Sequence, residues 1–286
     1  MEDEAVTTTG RTSQTAAPPH ASRYLMRELD RNPSTTSPLR CAVIGAGRLG
    51  HALGAALTDA GFEVEGPLGR GADPSADVVL LTVPDDEIAT AAATLTPLRA
   101  RFVGHCSGAT TLAPLAGHAA FSLHPLMTVP AGEAGPPEAD DGTRRRAPAP
   151  FAGAGAAIAG STPAALAIAE TLAGALRMRA VEVADADRAA YHAAASIAAN
   201  FLVTLEGAAE RLAATAGVPR ELLVPLARAA LENWAATGAE QALTGPVARG
   251  DEATIARQRA AVEERAPDLL DTFDALVAAS RGLVAT

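Results

Sequence analysis

An apolar run from Cys41 to Ile44 leads straight into Gly45-Ala-Gly-Arg-Leu-Gly50, and an amphipathic pattern follows as far as Ala60. A strand that feeds a helix through Gly-x-Gly-x-x-Gly is built to hold a pyrophosphate. The first glycine permits a tight turn, the second lets the backbone approach phosphate oxygens, and the third lets helix and strand pack closely. The helix N-terminus adds unpaired N–H groups and a positive dipole end. The expected cofactor contacts here are Gly45, Gly47, Arg48, Leu49 and Gly50. The turn could also be one that binds nothing, but the strand before it and the helix after it favour a dinucleotide.

What stands beyond the second strand separates NAD from NADP, since an acid there grips a ribose hydroxyl and an arginine receives a 2′-phosphate. The sequence at that point reads Gly66-Pro-Leu-Gly-Arg70-Gly71, with Arg70 and no acid; Glu65 lies earlier, inside the strand. NADP(H) is therefore the expected cofactor and NAD(H) the less favoured one. The run Ala76-Asp-Val-Val-Leu-Leu-Thr-Val-Pro84 ends on the same rim, so Thr82, Val83 and Pro84 are expected to touch the cofactor by backbone. Asp85 and Asp86 are expected to cap the next helix.

Two more apolar runs end in histidine: Gly104-His105-Cys-Ser107-Gly and Ser122-Leu-His124-Pro. Each histidine alone could be a structural residue bonded to backbone carbonyls. Together, with Ser107 and Thr128 beside them, they indicate a site, His105 toward the cofactor and His124 toward the chemistry. Cys41 and Cys106 sit in apolar runs where cysteine behaves as a small hydrophobe.

These residues need a frame. Seven short apolar runs read as strands, at Leu39 to Ile44, Phe62 to Glu65, Val78 to Val83, Phe102 to His105, Ala120 to Leu123, Ala156 to Ala159 and Arg179 to Val183. Helical patterns alternate with them, including one begun by Ser161 or Thr162 with Pro163 in its first turn. This is an α/β pattern with a parallel sheet, and from Asp185 onward only helical stretches remain, at about 186–216, 219–237 and 251–281. The expected organisation is a disordered tail over 1–38, a dinucleotide-binding domain over 39–184 with a disordered loop at about 129–150, and a helical domain over 185–286. The tail and loop are rich in Thr, Ser, Pro, Gly and charge, with too little apolar surface to repay ordering.

Composition limits the function. The 286 residues carry 33 acidic against 23 basic side chains, a net charge of −10, which argues against nucleic acid or anionic lipid as a partner. No signal-type h-region and no membrane-length apolar stretch stand in the sequence, so a cytoplasmic protein is expected. The 23 basic residues are all arginine, so a lysine general acid is excluded. A metal-dependent hydrolase built on His105 and His124 lacks a convincing carboxylate set, and no metal is expected.

Five motifs in order carry a family resemblance: Val-Ile-Gly-Ala-Gly-Arg-Leu-Gly, Gly104-His-Cys-Ser-Gly-Ala109, Ser-Leu-His-Pro-Leu, Tyr191-His-Ala-Ala-Ala, and Leu243-Thr-Gly-Pro-Val-Ala-Arg-Gly-Asp251. From about Leu39 to its end the chain resembles Rossmann-like proteins that carry a C-terminal domain of unknown function. These are similar to the 6-phosphogluconate dehydrogenase superfamily, with ketopantoate reductase, pyrroline-5-carboxylate reductase and prephenate dehydrogenase as relatives. The resemblance implies a Rossmann-type domain followed by an all-α domain, NADP-linked redox chemistry on a small molecule, and a homodimer formed through the helical domain.

Several of those relatives use a lysine on the first long helix of the second domain, with an asparagine four residues later. Here the corresponding stretch is His192-Ala-Ala-Ala-Ser196-Ile-Ala-Ala-Asn200, which sets three polar groups on one helical stripe. His124-Pro and Ser107 resemble the histidine and serine of prephenate dehydrogenases. The expected catalytic set is His124 or His192 as proton donor, with Asn200 and Ser107 orienting a carbonyl. Ser196, Thr244, Arg249 and Asp251 are the expected substrate contacts, although Arg249 and Asp251 could equally form a structural contact or helix cap. The expected reaction is hydride transfer between NADPH and a small carbonyl or imine compound, a 2-keto acid of the ketopantoate type by analogy. The alternative is a catalytically silent dinucleotide-binding protein that uses its helical domain for partner contact.

Overall fold

The computed structural model describes residues 39–97, 99–129 and 150–284. The tail expected over 1–38 and nearly all of the loop expected at 129–150 lie outside the described residues. Two compact units divide between His192 and Ala193.

The first unit is built on seven strands, β1 (Arg40–Ile44), β2 (Glu63–Leu68), β3 (Ala76–Leu81), β4 (Ala100–His105), β5 (Ala120–Leu126), β6 (Gly155–Gly160) and β7 (Arg179–Glu182). Their order in the sheet is β2-β1-β3-β4-β5-β6-β7. Every neighbouring pair is parallel except β5 and β6, which pair antiparallel from Phe121 with Gly160 to Leu126 with Gly155. The Rossmann-type parallel sheet expected from the sequence is present, and only β6 and β7 run opposite to the first five strands. As a result the carboxyl ends of β1 to β5 share one rim.

Helices α1 (Arg48–Asp59), α2 (Ile88–Ala93) and α3 (Pro163–Ala175) cover the sheet. Strand β3 shows why both faces must be covered. Val78 and Leu80 point into one cluster with Leu53, Leu57, Phe102, Phe121 and Leu172, while Val79 and Leu81 point into another with Ile44, Ile88 and Leu115. Alternation along a strand sends neighbours to opposite faces, so a run that is apolar at every position belongs in the middle of a covered sheet. Helix α3 starts as its sequence predicts: the Thr162 hydroxyl accepts from the Ala165 N–H, with Pro163 in the first turn.

The first long helix after the sheet is interrupted. It consists of α4 (Arg188–Ser196), a π-helical turn at Ile197–Phe201 and α5 (Leu202–Ala214). Next come α6 (Val224–Thr237), the short α7 (Ala239–Ala242) and α8 (Gly245–Ala248), then α9 (Glu252–Arg265) and α10 (Leu270–Val284). The single stretch expected over 251–281 is two helices, because Pro267 cannot continue α9 and Ala266 leaves helical geometry. No helix among the described residues is long and apolar enough to cross a membrane.

Candidate cofactor and active site

The glycine turn is shaped from within the protein. Gly45 has a φ of +117°, and a Cβ there would stand 2.6 Å from the Thr82 carbonyl oxygen; a Cβ on Gly50 would stand 1.9 Å from the Gly45 carbonyl oxygen. The Thr82 hydroxyl donates to the carbonyls of Ile44 and Gly45, both at 3.0 Å, and so fastens the turn to the end of β3. A Cβ on Gly47 would meet nothing within 4 Å. Gly47 is also the residue before the first turn of α1, and no side chain caps the N–H groups there. Two glycines are therefore required by packing, whereas the third faces open space at uncapped N–H groups, as a bound pyrophosphate requires. Arg48 is exposed and its guanidinium donates to the Val129 carbonyl at 3.3 Å; Leu49 is half-buried against the core.

Beyond β2 the structure corrects an expectation. The sequence sets no acid beside Arg70, yet Glu87, from the turn after β3, forms an ion pair with it. The parallel neighbours of β1 bring together the chain that follows each strand, which sequence distance hides. Asp85 corrects another: no side chain caps the 3₁₀ turn at Asp85–Glu87 or helix α2. The Asp85 carboxylate accepts instead from the Ser107 hydroxyl at 2.7 Å. Val83 is half-buried and Pro84 exposed at the same strand end.

Ser107 holds a tight turn. Its oxygen accepts from the N–H groups of Ala109 and Thr110 at 3.2 and 2.9 Å, so its one proton is free to serve only Asp85 or Thr110. His105 lies beneath this turn, fully buried. Its Nδ1 accepts from the Ser107 N–H at 3.2 Å, which leaves Nε2 to donate to the Thr111 carbonyl at 3.1 Å. Burial lowers its pKa. With both nitrogens committed, the ring secures the turn and does not offer a polar atom to the expected cofactor.

His124 and His192 do converge. Their ring centroids are 6.2 Å apart, and a Cβ added to Gly108 would lie 2.8 Å from a carbon of each ring. Glycine at 108 is thus what lets the imidazoles pack over the turn. His124 Nδ1 is 2.7 Å from the Tyr191 hydroxyl. Desolvation, then the neighbouring His192 and Arg188, push the His124 pKa down to about 4, so its imidazole is neutral at pH 7. Tyr191 is shifted upward by burial and stays protonated.

Arg188, which the sequence reading passed over, joins these pieces. Its side chain is 1% exposed; Nε meets Asp185 at 3.0 Å, Nη1 the Ser107 carbonyl at 3.5 Å, and Nη2 the Ser122 hydroxyl. Together with Tyr191 it binds the start of α4 to the sheet. The Asp185–Arg188 spacing was visible as an i, i+3 pair, but nothing in it showed burial. Cys41 and Cys106 are buried with thiols pushed up to about 12, as inert core residues. Among the described residues no group of three or more His, Cys, Asp or Glu is arranged to hold a metal.

The remaining expected site residues belong to the second unit. Ser196 is half-buried and Asn200 exposed, the latter within the π-helical turn, a feature frequent at functional sites. Thr244 and Arg249 flank α8, both exposed. Asp251 caps α9, accepting from the Thr254 N–H at 3.0 Å, and hydrogen bonding from the Thr254 side chain and then its backbone lowers the Asp251 pKa.

Residues 155–280 match the family described as a domain of unknown function, DUF2520. The match spans 126 of the 286 residues, so it describes the C-terminal part of the chain, from β6 onward. No curated protein matches it. A candidate NADP oxidoreductase of Bacteroides fragilis shares the fold at 18% identity, covering 86% of this chain and 98% of that one, with a TM-score of 0.68. A protein of Thermotoga maritima does so at 21% identity, 86% and 98% coverage and 0.66. The reductive aminase of Aspergillus terreus in complex with NADPH follows at 15%, 85% and 94%, and 0.58.

Proposed function

We propose that the protein is an NADP(H)-dependent oxidoreductase that moves a hydride between the nicotinamide and a small carbonyl or imine compound. The observation that carries this is the convergence of His124 and His192 over Gly108, on the rim where Gly47 lies open. Gly45, Gly47, Gly50 and the first turn of α1 would hold the pyrophosphate, and Arg70 would receive the 2′-phosphate. The fold shared with the candidate NADP oxidoreductase and the NADPH-bound reductive aminase supports the cofactor class.

When bound, the cofactor supplies the hydride to the carbonyl or imine carbon, and the displaced electron pair collects on oxygen or nitrogen. That atom needs a proton. His124, neutral near pH 7, gives a hydrogen bond from its N–H, and His192 is the partner imidazole that delivers or receives the proton. Asn200, Ser196, Thr244 and Arg249 remain candidate substrate contacts. A 2-keto acid is the first substrate to test within the class, by analogy alone.

The absence of any lysine in the sequence favours a second reading, a dinucleotide binder without turnover. NADPH consumption across keto acids, imines and semialdehydes separates the two. Turnover is expected for a member of that panel, with His124→Asn and His192→Gln lowering kcat by about 10²–10⁴ while cofactor affinity holds. Binding of NADPH with no consumption across the panel would favour the silent reading, and full activity in the double variant would remove both histidines from the chemistry.

A further inference from the structure

Arg70 stands just past β2, where an adenosine ribose would lie, and it is already engaged. Its Nη1 is paired with Glu87 Oε1, its side chain is 64% exposed, and Glu87 is the more covered partner at 31%. The other carboxylate oxygen, Glu87 Oε2, is buried and has no hydrogen-bond partner among the described residues. The Glu87 carboxylate thus depends on Arg70 for its compensation.

We infer that Glu87 is a specificity-determining residue that opposes the 2′-phosphate of NADP(H) at Arg70 and so narrows the preference over NAD(H). This rests on the dinucleotide reading proposed above. A 2′-phosphate can reach Arg70 in two ways. It draws the guanidinium off Glu87, leaving a partly buried carboxylate with neither oxygen compensated, or it shares the guanidinium and brings a dianion up to a carboxylate. Both cost binding energy. NAD(H) carries only a hydroxyl at this position, which leaves the ion pair whole. Arg70 therefore attracts the phosphate while Glu87 sets how much of that attraction survives.

Calorimetric titration of NADPH and of NADH into the wild-type chain, Glu87→Gln, Glu87→Ala, Arg70→Ala and the Arg70→Ala/Glu87→Gln double variant tests this, with melting temperature as the check on folding. Either Glu87 variant should raise NADPH affinity about tenfold, a gain of about 1.4 kcal/mol, and change NADH affinity less than about twofold. Arg70→Ala should weaken NADPH, and on that background Glu87→Gln should give a smaller gain than it gives in the wild-type chain. An NADPH-to-NADH ratio unchanged in both folded Glu87 variants overturns the inference while leaving the dinucleotide reading in place. A wild-type chain that binds neither cofactor overturns both.

Discussion

The two units of this chain bury their apolar residues very differently. In the sheet unit nearly every apolar side chain of β1, β3 and β4 is buried, packed above and below by helices. In the helical unit the buried hydrophobic residues among those described are Ile255, Val262 and Ala266, while Phe201, Leu222, Leu226 and Trp234 stand more than half exposed. A parallel sheet with helices on both faces closes its own core. A set of helices that leaves large apolar side chains outside has kept that surface for something else, and full burial of each leucine or aromatic stabilises by about 1.5–3 kcal/mol. We propose that a second copy of the chain covers it, the homodimer implied by the family resemblance.

Charge on that surface should have the largest effect. Leu222→Glu with Leu226→Glu alters side chains that are 66% and 68% exposed, so the fold should hold while sedimentation velocity shifts from dimer to monomer. A wild-type chain that sediments as a monomer at tens of micromolar would break the comparison.

Much of the sheet unit was legible because its signals are local. The run Val78–Leu81 can only be a covered strand, Gly45 and Gly50 answer to contacts a few residues or one strand away, and Thr162-Pro163 announces a helix start. The site was legible in part. His124 and His192 were found as strand-end and helix residues, but their meeting depends on Gly108, whose lack of a side chain carries no message in the sequence. Glu87 beside Arg70, Asp85 beneath Ser107 and the buried Arg188 come from crossovers between β2, β3, β5 and α4, which no spacing rule encodes. In the helical unit the patterns marked helices well, but the π-helical turn at Ile197–Phe201 has no signal in that Ala-rich run.

A smaller effect should come from pH, and from the sheet unit alone. His124 has its pKa lowered from 6.5 to about 4 by desolvation and by His192, Arg188 and His105, with Asp85 acting against them. Because the unfolded chain takes up this proton first, the stabilisation is complete above pH 6.5 and is lost as pH falls toward 4, a drop on the order of 1–3 kcal/mol. His105 is shifted in the same direction. Melting temperature should therefore decline from pH 7 to pH 4, and His124→Asn should flatten part of that decline. An identical slope in the variant would mean that His124 does not differ between folded and unfolded states.

The central claim is that the rim of the sheet unit, opening at Gly47, holds a nicotinamide dinucleotide. Gly47→Val tests it most directly, because Gly47 has a φ of −81° and a Cβ there touches no atom of the protein within 4 Å. The variant should melt with the wild type, yet calorimetric titration should show NADPH bound by the wild type and weakened at least about tenfold in the variant. Equal binding by the two, or no binding by the folded wild-type chain, would contradict the account.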